Sequence, residues 1–578
     1  MQHADIPRAG DGNVHRAGAV RLAVLLLLAV TLAGRLWVAL ADYRLLIGAD
    51  IWQDDAFYYL KIAQNILGGR GVTFDGQTTT NGFHPLFMAL AVAVMSAVRD
   101  DPARAVRLLS QLSAIVAVAT GALVFVLQRR LSGPLTALCA LALWALSPYF
   151  TVFGVNGQET GLAILFTVLL ILLYQRLIAL DGAAGWGDYL WAGAAGGLAI
   201  LARLDLAILV VALSADWLCK AALRQVPAGQ GKKVAAAGLV ILAVTLPWGA
   251  AGRGLTGNAL PLSGAASRQI ALEFGWTDLQ HTWSSAADTA PAAFAGHPPA
   301  VFYADVATKL LGIFALEYPL SAPLRLNVPF TVWPRLQNYA LFAWAPYLPA
   351  SLAALALLAL LKLALTAKPA VGKTPRGQNL HVLFGAYLLL FFAGYVFYSP
   401  AHWCFSRYLA APVLVATIWG LQLGRALLSG SGAPQLGARR GALALVLILA
   451  ASQAYLAWTW LDQFAAARRN SSFLTSWERL GPAIEPSATI GSFQSGIIGF
   501  FSGRDVVNLD GKVNPEAYEA IRTRRLHEYI RRKNITYIID WDWISYLLCL
   551  RYAPPGAIHL EKVGQEPDGA RMSLWRVR

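Results

Sequence analysis

Two adjacent aspartates, Asp54 and Asp55, open a segment in which apolar and polar residues follow the period of an α-helix up to residue 66. The pattern predicts an amphipathic helix that can lie at an interface. A lone aspartate at a helix start usually caps it, because exposed backbone N–H groups stabilise negative charge there. With two aspartates, one can cap while the other stays ionised in a cleft and accepts a proton from a hydroxyl group.

Other short segments carry polar side chains that could bind a charged substrate. His84 comes directly before Pro85, at a predicted helix start, where a histidine could hold a phosphate or serve as a plain turn residue. Glu159 opens an apolar run, where a carboxylate usually caps the helix or stays solvated. Arg203 and Asp205 lie inside a long apolar run and could form a structural ion pair or belong to a site.

Further cations and an aromatic residue extend this set. Arg407 and Tyr408 stand at the end of an apolar run, where Arg and Tyr are ordinary membrane anchors. Arg407 also has the planar donor geometry that suits a phosphate. Lys61 is on the polar face of the predicted amphipathic helix, and Arg268 is in a long polar segment. Together these residues predict a site for an anionic substrate.

The composition indicates the elements that must position these residues. Of 578 residues, 57% are hydrophobic and 14% charged, so a soluble fold would have too little polar surface to cover its apolar content. Apolar runs of about 20 residues, the length that crosses a bilayer, recur along most of the chain. The four scattered cysteines have no CxxC spacing and predict neither a metal site nor a disulfide framework.

Charge predicts the topology. Eleven spans are expected, centred near residues 30, 116, 142, 169, 196, 213, 242, 351, 390, 416 and 451, with the N-terminus inside and the C-terminus outside. The predicted cytoplasmic segments contain 17 Lys and Arg residues against four acids, which is most of the net charge of +15. The basic excess is therefore the positive-inside signal of a multi-pass membrane protein, and it gives no support to a nucleic-acid partner. The predicted location is a bacterial inner membrane.

Two apolar segments differ from an ordinary single span. Residues 84–98 are too short to span and are predicted to form a juxtamembrane or re-entrant helix. Residues 192–218 are long and polar at their centre, so we expect two short helices that join near Arg203 and Asp205 at the outer surface.

Two domains are predicted. Residues 1–461 form an all-α, polytopic membrane domain with a first outer loop at 42–103 and a large outer loop at 251–337. Residues 462–578 form a small extracytoplasmic α/β domain, with strands expected at 488–493, 506–509, 536–540 and 572–577 and a helix at 516–533. The acids and cations named above all fall on the outer side. A transporter would instead concentrate polar groups near the bilayer midplane, commonly with paired repeats.

The motifs resemble those of the C-type glycosyltransferase superfamily, in particular bacterial relatives of protein O-mannosyltransferases, aminoarabinose transferases and arabinofuranosyltransferases. The resemblance rests on DD at 54–55, TNGFHP at 80–85, NGQET at 156–160, LARLD at 201–205, LPLSG at 260–264 and RY at 407–408. In the tail, GSF at 491–493, NLDG at 508–511 and NPEAY at 514–518 look like the extracytoplasmic domain of other members.

The resemblance implies a lipid-monophosphate sugar donor and an inverting displacement without a covalent intermediate. Asp54 matches the first acid of the family's pair and is the predicted general base, which Asp55 would assist or orient. Glu159 matches the acid of the second loop and is expected to contact sugar or acceptor. The predicted substrate- and phosphate-binding residues are Lys61, His84, Arg203, Arg407 and Tyr408. The family commonly has an aromatic residue just after the His-Pro turn, and Leu86-Phe87 here leaves acceptor stacking open.

Several alternatives stay open. The expected partners are a polyprenyl-phosphate-linked sugar, the lipid bilayer and a glycan, lipid or protein acceptor, with no cofactor required and a divalent cation possible. The competing enzyme is a metal-dependent oligosaccharyltransferase or polymer ligase that uses lipid-diphosphate donors, with the metal on the Asp54 and Asp55 pair. A lipid or sugar transporter and a non-catalytic assembly factor are the other classes.

Overall fold

A computed structural model describes residues 11–98, 101–180, 182–223, 225–227, 229–274, 307, 310, 380–398, 407–430, 464, 473–541, 551–565 and 572–578. Helices fill most of the described residues up to 430. They are α1 (Asp11–Ala39), α2 (Tyr43–Gly48), α3 (Asp54–Leu67), α4 (Pro85–Val98), α5 (Pro102–Ser132), α6 (Pro134–Leu146), α7 (Pro148–Gly154), α8 (Thr160–Ala179), α9 (Trp186–Ala202), α10 (Leu206–Ala222), α11 (Gly231–Thr256), α12 (Leu262–Phe274), α13 (His381–Ala393) and α14 (Ala410–Gly430). A π-helical turn, Gly394–Tyr398, continues α13.

Prolines and caps fix where several helices begin. Pro102, Pro134 and Pro148 stand in the first turn of α5, α6 and α7, where the missing N–H would have no partner within the helix. Asp101 caps α5 by accepting the backbone N–H of Arg104. Helix α3 starts at Asp54, as the sequence predicts, because Gln53 is still extended.

Membrane spans are identified by length and composition. Among the described residues, four helices are long and apolar enough to cross a bilayer: Ala17–Ala39, Pro102–Ser132, Thr160–Ala179 and Gly231–Thr256. Helices α6 and α7, bent by 62°, form a fifth span if they count as one. The expected spans near 351 and 451 lie outside the described residues, so the number eleven stays a prediction.

The two segments treated separately in the sequence have the expected form. Residues 85–98 form a 14-residue helix, which is short for a span. Residues 186–222 form two helices, α9 and α10, that break between Ala202 and Leu206. The break holds Arg203 and Asp205, so the predicted division of this run is confirmed.

The tail forms a small α/β unit, as predicted. Its elements are α15 (Phe473–Leu480), β1 (Thr489–Ser492), α16 (Gly496–Phe501), β2 (Val506–Asn508), α17 (Pro515–Arg522), α18 (Leu526–Arg532), β3 (Ile535–Trp541), β4 (Leu560–Gln565) and β5 (Met572–Val577). The strand order is β2-β1-β3-β5-β4. Strands β2 and β3 run parallel to β1, and β5 pairs antiparallel with both β3 and β4.

Two details of the tail differ from expectation. The single helix predicted over 516–533 is two helices, because Arg524 between them has a positive φ of 55° and the N–H of Leu526 bonds to the carbonyl of Tyr552. Strand β4 was not predicted. It is the edge strand of the sheet and much of it is exposed, so its sequence lacks a buried run.

The tail packs directly on residues 42–103, the predicted first outer loop. Ile497 and Phe500 of α16, together with Val513, are buried in the same apolar cluster as Phe57 and Phe74. Phe57 lies on α3, and its ring centroid is 5.8 Å from that of Phe500. Helix α3 therefore has the membrane helices on one side and the tail on the other, and this position decides where each of its polar residues faces.

Candidate active site

A cavity of about 610 Å³ lies between the membrane helices and the tail. Side chains from distant parts of the chain line it. Its charged and histidine lining residues are Asp55, His84, Glu159, Arg203, Asp205, Arg268, Arg407 and Lys512, and its aromatic ones are Tyr58, Tyr59, Phe83, Tyr395, Tyr408 and Tyr518. Residues 258–265 also line it.

Asp55 is the member of the acid pair that faces this cavity. Its Oδ2 lies 2.5 Å from Nη2 of Arg407, and its Oδ1 lies 3.5 Å from Nζ of Lys512. Arg407 also donates to Oε1 of Gln53 at 2.9 Å. Burial alone would raise the pKa of Asp55, but the charges of Lys512 and Arg407 outweigh it and hold the pKa well below its ordinary value. Asp55 is therefore ionised between two cations.

Asp54 faces the tail. Its two carboxylate oxygens accept the backbone N–H groups of Gly496 and Ile497, at 2.9 and 2.7 Å, in the first turn of α16. The side chain is buried and does not line the cavity. Burial raises its pKa to about 7, and the two backbone hydrogen bonds offset part of that rise. Asp54 is the proton acceptor predicted from the motifs, but in this structure both of its oxygens accept hydrogen bonds from a helix of the tail.

Glu159 is a second carboxylate on the cavity wall. The Tyr59 hydroxyl donates to its Oε2 at 2.9 Å, and Nε2 of His84 is 3.8 Å from its Oε1. Burial would raise the pKa of Glu159, but His84 and two nearby arginines bring it below the ordinary value. Burial lowers the pKa of His84, so this histidine is neutral near pH 7. Glu159 is therefore an ionised carboxylate on the cavity wall that accepts a hydrogen bond from the Tyr59 hydroxyl.

The break between α9 and α10 supplies an ion pair. Arg203 Nη2 lies 2.9 Å from Asp205 Oδ2, and the Tyr395 hydroxyl donates to the same oxygen at 2.7 Å. The guanidinium of Arg203 also stacks over the ring of Tyr408, 4.6 Å from its centroid. The ion pair that the sequence left open is formed, and both of its members also line the cavity.

Lys61 does not take part in this site. Its Nζ lies 3.5 Å from the carbonyl oxygen of Arg504 in the tail, and the residue is 2% exposed. It is not a lining residue of the cavity. The structure therefore does not bring Lys61 together with the other predicted phosphate-binding residues, because its side chain contacts the tail.

Lys512 and Tyr518 were missed as site residues. Lys512 directly follows the NLDG motif of the tail, and Tyr518 is the last residue of its NPEAY motif. A lysine directly after an Asp-Gly turn, beside a motif shared with related tails, was the available signal. Distance along the chain concealed it, because Lys512 and Asp55 are separated by more than 450 residues.

Among the residues that the structure describes, no group of three or more His, Cys, Asp and Glu side chains could hold a metal ion. The carboxylates of Asp54 and Asp55 diverge, one accepting from the backbone of α16 and the other contacting Arg407.

Comparisons with known proteins give the class. Residues 83–250 match the family described as dolichyl-phosphate-mannose-protein mannosyltransferase. Residues 465–574 match a domain of unknown function, DUF8728. The sequence matches none of the curated proteins. The match at 83–250 supports, for this part of the chain, the resemblance to the C-type glycosyltransferase superfamily that the motifs predict.

Solved structures were compared as well. The archaeal oligosaccharyltransferase AglB from Archaeoglobus fulgidus, in complex with an inhibitory peptide and a dolichol-phosphate, matches with a TM-score of 0.48 and 14% identity over 93% of this chain and 71% of that one. ArnT from Cupriavidus metallidurans, in the apo state, matches with a TM-score of 0.44 and 13% identity over 97% of this chain and 98% of that one.

Proposed function

We propose that the protein transfers a sugar from a polyprenyl-phosphate donor to the hydroxyl group of an acceptor, with inversion, on the outer side of a bacterial inner membrane. The observation that carries the proposal is the ionised carboxylate of Asp55, held between Arg407 and Lys512 on the wall of one cavity. A proton acceptor and two phosphate-binding cations are thus within a few ångströms of one another.

The charge of the cavity suits a phosphate leaving group. Its lining contains four cations and three acids among the described residues: Arg203, Arg268, Arg407 and Lys512 against Asp55, Glu159 and Asp205. The lining therefore has a net positive charge while His84 is neutral. When the bond between the sugar carbon and the phosphate oxygen breaks, the phosphate gains negative charge. Fixed cations stabilise that change without having to reorganise.

The reaction needs one proton acceptor. The acceptor oxygen attacks the anomeric carbon of the sugar, the bond to the phosphate oxygen breaks with its electron pair, and the hydroxyl proton passes to Asp55. The lipid phosphate leaves as the free monophosphate. Asp55 is assigned this role because its carboxylate lines the cavity, whereas the oxygens of Asp54 are bonded to Gly496 and Ile497.

Glu159 is assigned to binding. Its carboxylate can accept a hydrogen bond from a sugar or acceptor hydroxyl while Tyr59 holds one of its oxygens. His84 adds a neutral imidazole beside it, and its Nδ1 is buried without a hydrogen-bond partner among the described residues. Tyr408 also lines the cavity, and its ring lies against the guanidinium groups of Arg203 and Arg407.

The metal-dependent alternative receives less support. A divalent cation on the acid pair would need oxygens from Asp54 and Asp55 together. The oxygens of Asp54 already accept two backbone N–H groups, and those of Asp55 face two cations whose charges would repel the metal. We therefore favour the monophosphate donor, which needs no bound metal.

The test is a transfer assay with purified protein and a panel of polyprenyl-phosphate sugars, followed by the release of free lipid phosphate. We expect one donor to be consumed in the presence of a membrane or cell-wall extract as acceptor. Asp55→Asn should lower turnover by about 10²- to 10⁴-fold, the usual contribution of a positioned proton acceptor. Asp188→Asn is the matched control, because Asp188 pairs with Arg176 away from the cavity. Full turnover by Asp55→Asn would contradict the proposal.

A further inference from the structure

We propose that the C-terminal domain is part of the active site, and that its Lys512 binds the phosphate of the donor together with Arg407. This inference rests on the proposed function and extends it to a domain of unknown function, which matches residues 465–574. Lys512 lies on the cavity wall opposite the membrane helices.

The loop that carries Lys512 is built to hold one conformation. Gly511 has a φ of +78°, and a Cβ at this position would lie 2.7 Å from Cα of Tyr518. The N–H of Gly511 donates to Oδ1 of Asn508 at 3.0 Å. Asn514 closes the loop, donating to the carbonyl of Asn508 and accepting the N–H of Ala517 at the start of α17. A lysine on this loop is therefore held at a fixed place.

The loop is also fixed against the membrane domain. A Cβ at Gly82 would lie 2.0 Å from the carbonyl oxygen of Lys512, so the two backbones touch where Gly82 has no side chain. Val513, the next residue, is 1% exposed in the apolar cluster shared with α3. Asp54 makes a further contact between the two domains by accepting the N–H of Gly496. The tail therefore brings Lys512 to the cavity by direct docking.

The surroundings of the Lys512 ammonium are suited to an additional anion. Its Nζ lies 3.5 Å from Asp55 and 3.4 Å from Asp510. Both separations exceed the roughly 2.7–2.9 Å of a close charge-assisted hydrogen bond. The side chain is 11% exposed, and that exposure is toward the cavity. A phosphate oxygen in the cavity can therefore contact the ammonium, which lies on the cavity wall.

The position also links donor binding to the reactivity of Asp55. Lys512 and Arg407 hold the pKa of Asp55 well below its ordinary value, which makes it a weak proton acceptor while the cavity is empty. A donor phosphate that takes up these two cations reduces their effect on the carboxylate. The pKa of Asp55 then rises, and Asp55 becomes a better proton acceptor when the donor is in place.

Binding of farnesyl phosphate and of the neutral alcohol farnesol to the full-length protein in detergent tests the inference without requiring turnover. We expect the wild type to prefer the phosphate. Lys512→Met should lower affinity for farnesyl phosphate by about 10- to 100-fold, the usual effect of losing a hydrogen bond to a charged group, and leave farnesol unchanged. Lys512→Arg should restore most of the preference. Lys562→Met is the matched control, because Lys562 is an exposed lysine of the same domain on β4.

The outcomes separate the two proposals. If the wild type does not distinguish farnesyl phosphate from farnesol, the proposed donor class is wrong. If the wild type prefers the phosphate and Lys512→Met keeps that preference, the role of Lys512 is wrong and the proposed function stands. If Lys512→Met weakens both ligands equally, the lysine only supports the fold, and the inference is likewise overturned.

Discussion

Replacing Asp54 by asparagine tests which member of the acid pair accepts the proton. Asparagine keeps one acceptor oxygen and loses the other, so one of the two hydrogen bonds from Gly496 and Ile497 is broken. Losing a hydrogen bond to a charged group costs about 1.5–3 kcal/mol. The buried side chains of Ile497, Phe500 and Val513 also hold the tail in place, and each contributes roughly 1.5–3 kcal/mol. The remaining contacts exceed the loss, so the tail should stay docked.

Turnover is therefore expected to fall by less than about tenfold in Asp54→Asn, and by about 10²- to 10⁴-fold in Asp55→Asn. The assay is release of free lipid phosphate at saturating donor, with both variants in the same detergent. Hydrogen exchange of the amides of Gly496 and Ile497 measures the local effect. These amides should exchange faster in Asp54→Asn and at the wild-type rate in Asp55→Asn.

The reasoning fails if Asp54→Asn loses activity as completely as Asp55→Asn while the amides of Gly496 and Ile497 stay protected. In that case Asp54 acts on the substrate, and the proposed assignment of proton acceptance to Asp55 is wrong. A large loss accompanied by fast exchange over the whole of α16 would mean that the tail has undocked. Docking would then depend more on this one carboxylate than on the buried side chains of Ile497, Phe500 and Val513.

Three further outcomes are expected. Burial raises the pKa of Asp54 from 3.8 to about 7. Between these pH values the folded protein binds more protons than the unfolded chain, so its stability falls as pH rises. The difference in melting temperature between wild type and Asp54→Asn, measured from pH 4 to 8, should follow this trend. Gly82→Ala should raise the KM for the donor, because a Cβ there would meet the Lys512 carbonyl at 2.0 Å, whereas Gly254→Ala, with nothing within 4 Å, should not. Transfer should survive treatment with EDTA; loss of activity that Mg²⁺ or Mn²⁺ restores would favour the metal-dependent alternative.

Local features were predictable from the sequence. The start of α3 at Asp54 and the break at Arg203 follow from periodicity and from the cost of charge in a lipid environment. Four of the five strands of the tail sheet have continuous β-type runs and were predicted close to their observed positions. Each of these features depends on residues near one another in the chain, which is why pattern alone is sufficient.

Contacts between distant segments were not predictable in the same way. Lys61 and Lys512 illustrate this. Lys61 shares the polar face of α3 with Asp54, which suggested a binding role, yet that face packs on the tail and Lys61 contacts the carbonyl of Arg504. Lys512 had no local pattern that favours phosphate binding. It reaches the cavity because the tail docks against Gly82. No periodic pattern in the sequence indicates where two domains dock.

The exchange of roles between Asp54 and Asp55 has the same origin. Successive residues of an α-helix point about 100° apart, so two adjacent acids at its start point in different directions. The sequence therefore predicts that the pair diverges, with one acid capping and one in a cleft. The periodicity does not say which, and the resemblance points to Asp54 as the proton acceptor, whereas in the structure Asp54 caps a helix from another domain and not its own. The docking position of α16 selects Asp54, and Asp55 is left to pair with Arg407 on the cavity wall.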